Sequence, residues 1–243
     1  MSYAAVNGLN MYFEAHGEGE PLLLLHGGSG TAEYFSESVP FFADGFRVIV
    51  AELMGHGRTA DDVDRPFHYH DMAEDIVELM RVLGIESASI LGYSDGGIVA
   101  LDMAVHHPDR VQKLALTGVN SRHDGYTAEA REWTRTFEPD QDVVSAAYAR
   151  LSPDGADHWP VFMGRLQRMW AVEPSLTAEQ LRSIAIPTLL IIGDADIVTP
   201  EHAVEMFRTI PGAQLCVIPN AGHGVLPKET ILTFLRGAAT GKN

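Results

Sequence analysis

The chain holds a single cysteine, Cys216. No internal disulfide can form and no cysteine cluster exists to hold zinc. A reducing, cytoplasmic setting is the expectation that follows. Lysine is almost as scarce, with three residues among 17 basic ones, against 33 acidic residues and a formal net charge of −16. Such a field repels phosphate backbones and anionic membrane surfaces, so neither nucleic acid nor a membrane is expected as a partner. Long apolar runs are also missing. The longest early one, Leu22 to Leu25, is ended by His26, far short of the roughly 20 residues a membrane helix needs. The first residues, MSYAAVNGLN, lack the basic start and apolar stretch of a secretory signal. No fixed-period repeat and no low-complexity tract occurs.

What is present is ample apolar material. The 243 residues are 46% hydrophobic and 21% charged, the balance of a globular chain rather than a disordered one. At about 150 residues per domain, the length allows between one and two domains and a large buried core.

Short apolar runs alternate with longer helical patterns, which predicts an α/β fold with a mainly parallel sheet. Tyr3 to Val6 and Leu9 to Ala15 flank Asn7-Gly8, a hairpin signal because both residues tolerate positive φ. Further strands are expected at Pro21 to Leu25, Phe46 to Ala51, Ala88 to Leu91, Lys113 to Gly118, Pro187 to Gly193 and Gln214 to Pro219, about eight in all. The last six read as apolar on both faces, like central parallel strands.

A helix is predicted from about Tyr69 to Leu83. Tyr69, Met72, Ala73, Ile76, Leu79, Met80 and Leu83 make its apolar face, Asp71, Glu74, Asp75 and Glu78 its polar one, and Gly84 its end. A second helix, from about Asp95 to His107, is apolar nearly all round and should be buried, with Pro108 marking its end. From about 121 to 184 the pattern is only helical, with turns at Pro139, Ser152 to Gly155 and Glu173-Pro174. This stretch holds all three tryptophans, Trp133, Trp159 and Trp170, together with Phe137, Tyr148, Phe162, Met163 and Met169. It also holds seven of the 14 arginines, which could bind an anionic acid. An insertion lying over the carboxyl edge of the sheet is expected. Most of its aromatics should pack it onto the core, and two or three should face a pocket.

The chemistry concentrates in Gly92-Tyr93-Ser94-Asp95-Gly96-Gly97, between a predicted strand and the buried helix. In that context Gly-x-Ser-x-Gly marks a strained turn that lifts a serine hydroxyl clear of the sheet, with glycines where backbone passes close. The helix start aims free N–H groups at the same place. A serine hydroxyl needs a base. Among 11 histidines, His223 stands out in Asn220-Ala221-Gly222-His223-Gly224, directly after the last predicted strand. His106 and His107 end a helix, where a structural role suffices. His68 and His70 flank the start of the long helix and suggest a metal pair, but no third ligand is in view, so no metal site is expected. The imidazole needs a carboxylate, and Gly193-Asp194-Ala195-Asp196 supplies two. Asp194 lies nearer the strand and could bond the loop backbone. Asp196, further out, is the better placed to reach the histidine. For a developing oxyanion, His26-Gly27-Gly28-Ser29-Gly30 follows the third strand, and the N–H of Gly28 can line up with that of Asp95. A phosphate-binding loop is the competing reading, disfavoured because no lysine follows and no GxGxxG occurs.

These motifs resemble the α/β-hydrolase superfamily over nearly the whole chain, and the order Ser94, Asp196, His223 is similar to that family's order. Leu53-Met54-Gly55-His56-Gly57-Arg58-Thr59 resembles its Gly-His-Gly stretch after the fourth strand. The turn Ser94-Asp95-Gly96-Gly97 is similar to that of valacyclovir hydrolase-like enzymes, where the acid after the serine is associated with the substrate's amino group. The oxyanion loop differs from that branch. The resemblance implies a mostly parallel eight-stranded sheet flanked by helices, with core residues 1–120 and 185–243 and a small helical cap at 121–184. It implies serine hydrolysis of a small carboxylic ester or acyl compound with no cofactor, in a monomer or homodimer. Asp95, Trp133, Trp159 and Trp170 are candidate substrate contacts. A serine in place of an aspartate nucleophile argues against dehalogenases and epoxide hydrolases. Lactone opening, C–C hydrolysis and perhydrolysis use the same triad, and a receptor that kept the fold is the rival of another class. Asp95 has a plainer reading as a first-turn acid stabilised by the helix dipole.

Overall fold

The computed structural model describes residues 2–136 and 143–237. Phe137 and Pro139, read above as part of the insertion, lie outside the described residues. Eight strands form one sheet: β1 (Ser2–Val6), β2 (Leu9–His16), β3 (Glu20–Leu25), β4 (Phe46–Ala51), β5 (Ala88–Tyr93), β6 (Val111–Thr117), β7 (Thr188–Gly193) and β8 (Gln214–Ile218). Their order across it is β1-β2-β4-β3-β5-β6-β7-β8. The first two strands pair antiparallel and β2 runs antiparallel to β4, while every pairing from β4 to β8 is parallel. The Asn7-Gly8 turn has φ of 44° and 88°, as a two-residue hairpin with the right twist demands.

Helices α1 (Val39–Phe42), α2 (Tyr69–Val82) and α3 (Asp95–His106) precede β6 or adjoin it. Between β6 and β7 come α4 (Ala128–Thr136), α5 (Val143–Leu151), α6 (Trp159–Trp170) and α7 (Ala178–Ser183), with no strand of the sheet among the described residues there. Helices α8 (Pro200–Thr209) and α9 (Lys228–Arg236) complete the chain.

The four leucines of β3 show why the sheet sits where it does. Successive side chains point to opposite faces. Leu23 and Leu25 join the core formed with α2 and α3, and Leu22 and Leu24 join the one formed with Phe42 of α1 and Ile231 and Leu235 of α9. All four are fully buried, and each contributes about 1.5–3 kcal/mol of hydrophobic stabilisation. The last strand departs from expectation. Residues Gln214 to Ile218 form an edge strand with Val217 48% exposed, because only β7 pairs with it.

Three arginines between β6 and β7 are engaged in ion pairs. Arg165 of α6 lies 4.4 Å over the Phe67 ring, donates to the Asp62 carbonyl at 2.9 Å, and faces Asp61 at 3.3 Å. Arg150 of α5 makes a two-pronged contact with Glu33, and Arg122 does the same with Glu205. These three arginines tie the stretch to the rest of the molecule, rather than standing free for an anion.

Candidate active site

The site begins at the carboxyl end of β5. Ser94 takes φ 50° and ψ −120° between that strand and α3, a conformation held only where its surroundings enforce it. Its N–H donates to the Thr117 carbonyl at 2.9 Å, and its carbonyl receives the N–H groups of Gly97 and Ile98. The glycines make the turn sterically possible. A Cβ on Gly92 would lie 2.5 Å from the Gly97 Cα, and one on Gly96 would lie 2.2 Å from the Leu25 carbonyl oxygen.

His223 stands on the loop after β8, with its Nε2 3.1 Å from the Ser94 Oγ and its Nδ1 2.7 Å from the Asp196 Oδ1. The same Asp196 oxygen accepts the Val198 N–H at 3.0 Å, which fixes the carboxylate. Asp194 does what its nearness to the strand suggested: it accepts the Ala221 N–H at 3.2 Å. The histidine loop is held from both sides. Tyr34 donates its hydroxyl to the Gly224 carbonyl at 2.7 Å, and Thr117 donates to the Val225 carbonyl. The Tyr93 ring stacks on Tyr34 at 4.5 Å and lies 5.1 Å from the imidazole of His223.

The loop after β3 packs directly on the turn. A Cβ on Gly27 would lie 3.1 Å from that of Ser94, and one on Gly28 would lie 2.4 Å from both Asp95 Oδ2 and Trp170. His26 anchors this loop. It accepts the Leu53 N–H on Nε2, which leaves the Nδ1 proton for the Gly27 carbonyl at 2.8 Å. Burial pushes His26 down to about 4 and its neighbour His56, at 4.9 Å, to about 3. Both rings are therefore neutral packing groups. Fully buried Glu52 accepts from the Ala32 N–H and pairs with Arg58, locking the Gly-His-Gly stretch beneath them.

Asp95 is 3% exposed. Trp170 of α6 donates its indole N–H to Oδ2 at 2.8 Å, and Tyr69 of α2 donates its hydroxyl to Oδ1 at 2.9 Å. Neither donor carries charge, and no arginine or lysine among the described residues acts on the carboxylate. Burial accordingly raises Asp95 to about 6, against the opposing pull of Trp170, Tyr69 and His223. Between its ordinary value of 3.8 and about 6, the folded state holds this proton and the unfolded state releases it. Stability therefore falls as pH rises through that window, by an order of about 3 kcal/mol, and the loss persists above it. Asp95→Asn should remove this dependence. The stability difference between mutant and wild type should rise by that amount from pH 4 to pH 7 in urea unfolding, whereas parallel profiles would contradict the assignment.

The three tryptophans separate. Trp170 reaches Asp95, and Trp133, 48% exposed, stacks 6.2 Å from Trp170. Trp159 does not join them. It is buried against Tyr148 at 5.3 Å and Phe162 at 5.8 Å, as packing between α5 and α6. The suspected pair His68 and His70 also separates. His68 meets Glu173, and His70 turns to Asp102 and His106 of α3. Tyr69 was legible only as part of an apolar helix face; nothing in its spacing signals that its hydroxyl reaches the residue after the serine.

No helix among the described residues is long and apolar enough to cross a membrane. A family model described as alpha/beta hydrolase fold matches residues 20–146, just over half of the chain. The chain is 26% identical to a putative carbamate hydrolase RutD of Azorhizobium caulinodans, over 92% of this chain and 91% of that one. It is 29% identical to the serine hydrolase BPHL of Mus musculus, over 91% of this chain and 79% of that protein. Among solved structures, a thermophilic esterase from Thermogutta terrifontis is similar, with TM-score 0.72, 27% identity and 97% of each chain covered. With the eight-stranded sheet and the elbow at Ser94, these likenesses identify the chain as a hydrolase belonging to the alpha/beta hydrolase fold family.

Proposed function

We propose that this protein hydrolyses small carboxylic esters through an acyl-enzyme on Ser94. The observation that carries the proposal is the unbroken line from Ser94 Oγ through His223 to Asp196, at 3.1 and 2.7 Å. Ser94 attacks the ester carbonyl while His223 Nε2 takes its proton. Asp196 keeps the Nδ1 proton in place and stabilises the imidazolium. The N–H groups of Gly28 and Asp95 receive the oxyanion. His223 then protonates the departing alkoxide, and water attacks the acyl-enzyme by the same route in reverse roles, with no cofactor. Residues 121–184 serve as a cap with a mostly apolar pocket, and the setting is a reducing cytoplasm. Short to medium acyl chains fit a cap of this size. A series of p-nitrophenyl esters of graded acyl length tests this: kcat/KM should peak at short or medium chains. Preferred turnover of long-chain triglycerides would overturn it.

A finer specificity is supported by Asp95. A buried carboxylate beside the nucleophile, held by two neutral donors and lacking a cationic partner, is suited to an ammonium group on the acyl part of the substrate. Its Oδ2 lies against Gly28, one of the two proposed oxyanion donors. A charged hydrogen bond of this kind contributes about 1.5–3 kcal/mol. Wild type should favour an α-amino ester over its des-amino analogue by about tenfold or more in kcat/KM, and Asp95→Asn should lose the preference. Equal ratios in both proteins would leave Asp95 as the tie between α2, α3 and α6.

A further inference from the structure

Away from Ser94, at the far end of α3, three metal-ligating side chains converge. Asp102 and His106 lie one turn apart on α3, and His70 faces them from the first turn of α2. The Nδ1 of His70 is 2.9 Å and the Nδ1 of His106 is 3.0 Å from the same oxygen, Asp102 Oδ1. The two imidazole rings meet edge to face at 4.7 Å, and one ligand atom from each residue lies within 4.8 Å of the others. We propose that His70, Asp102 and His106 form a binding site for a divalent transition metal of the zinc class, clamping α2 to α3.

The three ligand atoms can close on such an ion with small side-chain movements, since they lie within 4.8 Å of one another. Tetrahedral zinc, with bonds of about 2.0–2.1 Å, holds its ligand atoms about 3.3 Å apart. The two nitrogen-to-oxygen separations need to open by only a few tenths of an ångström. Two imidazoles and one carboxylate suit zinc, cobalt, nickel or copper, and not magnesium or calcium, which prefer all-oxygen sets. Asp102 is buried, while both imidazoles are exposed, at 52% and 37% of their side chains. The ion can therefore enter from solvent. On binding through Nδ1, each neutral imidazole would carry its single proton on Nε2, the tautomer opposite to one that donates from Nδ1 to Asp102. His70 and Asp102 also line a cavity of about 350 Å³, together with Glu173, Pro174 and Leu176. The coordination positions not taken by protein can thus hold water or a small ligand. Glu74 is not counted among the ligands, because it is engaged by His107 at 2.5 Å and lies 4.0 Å from the other nitrogen of His70.

The clamp would bear on the candidate active site. His70 follows Tyr69, whose hydroxyl holds Asp95, and α3 carries Asp95 at its start. The test is calorimetric titration of the metal-stripped full chain with zinc chloride, with cobalt chloride followed by visible absorption as a second probe. Wild type should bind one equivalent and melt at a higher temperature with zinc than without it. His70→Gln and His106→Gln, both at exposed positions, should each weaken binding by tenfold or more and abolish the zinc-induced rise in Tm. His68→Gln, two residues from His70 but facing Glu173, should bind as wild type does. Unaltered melting of the two glutamine variants without metal shows that they fold. Absence of stoichiometric binding by wild type, or undiminished binding by the double variant, would overturn the proposal.

Discussion

Ser94→Ala and His223→Ala are each expected to lower kcat for a p-nitrophenyl ester by about 10⁴-fold or more, with an unchanged melting curve. The serine hydroxyl and the imidazole are 3.1 Å apart and act as one device. Removing either leaves only binding and the oxyanion donors, so the double mutant should be little worse than each single one. Asp196→Asn should cost about 10⁴-fold, because an amide at 2.7 Å from His223 Nδ1 favours the wrong tautomer. Asp194→Asn is the control. Its carboxylate accepts the Ala221 N–H and does not touch the histidine, so its effect should fall on stability. Inactivation by Asp194→Asn with activity retained in Asp196→Asn would reverse the assignment of the acid.

The second large effect is structural. Gly96→Ala places a Cβ 2.2 Å from the Leu25 carbonyl oxygen, 2.4 Å from its carbon and 2.5 Å from the His26 oxygen. All three atoms belong to backbone, and none can swing aside. Relief requires α3 to part from the end of β3, which separates the Gly28 loop from the serine turn. The expected destabilisation is about 3 kcal/mol or more, a Tm lower by roughly 10 °C in a chain of this length. Gly164→Ala provides the contrast. It lies inside α6, where a Cβ meets only the tip of Arg168 at 3.6 Å, and it should be neutral or stabilise by up to about 1 kcal/mol. Equal Tm values for the two variants would show that the close approach at Gly96 does not hold in solution.

The sequence was most legible where one residue type has one physical use. Runs such as Leu22 to Leu25 mark strands within about two residues, because a strand buried on both faces needs an unbroken apolar run. Asn7-Gly8 and the glycines around Ser94 mark turns that few other residues can make. The order of the strands across the sheet was not legible, nor was the half-exposed edge position of Gln214 to Ile218, since edge and centre differ only in their neighbours. The same limit applies at the site. Ser94, His223 and Asp196 each stand in a glycine-bearing loop that signals them individually. The contacts of Asp95 with Tyr69 and Trp170 join residues 26 and 75 positions away, and neither partner has a local pattern to mark it. His70 likewise acquires its companions only when α2 packs on α3. The short helices α8 and α9, ten and nine residues long, fall outside the strong periodic stretches.

The nucleophile itself is open to one direct measurement. Wild-type protein is treated with a fluorophosphonate, its intact mass is recorded, and the adduct is located by peptide mapping. One adduct on Ser94 is expected, absent in Ser94→Ala and formed far more slowly in His223→Ala, because the imidazole 3.1 Å away activates the hydroxyl. An adduct on a different residue, or ester turnover by Ser94→Ala at the wild-type rate, would contradict catalysis through an acyl-enzyme on Ser94.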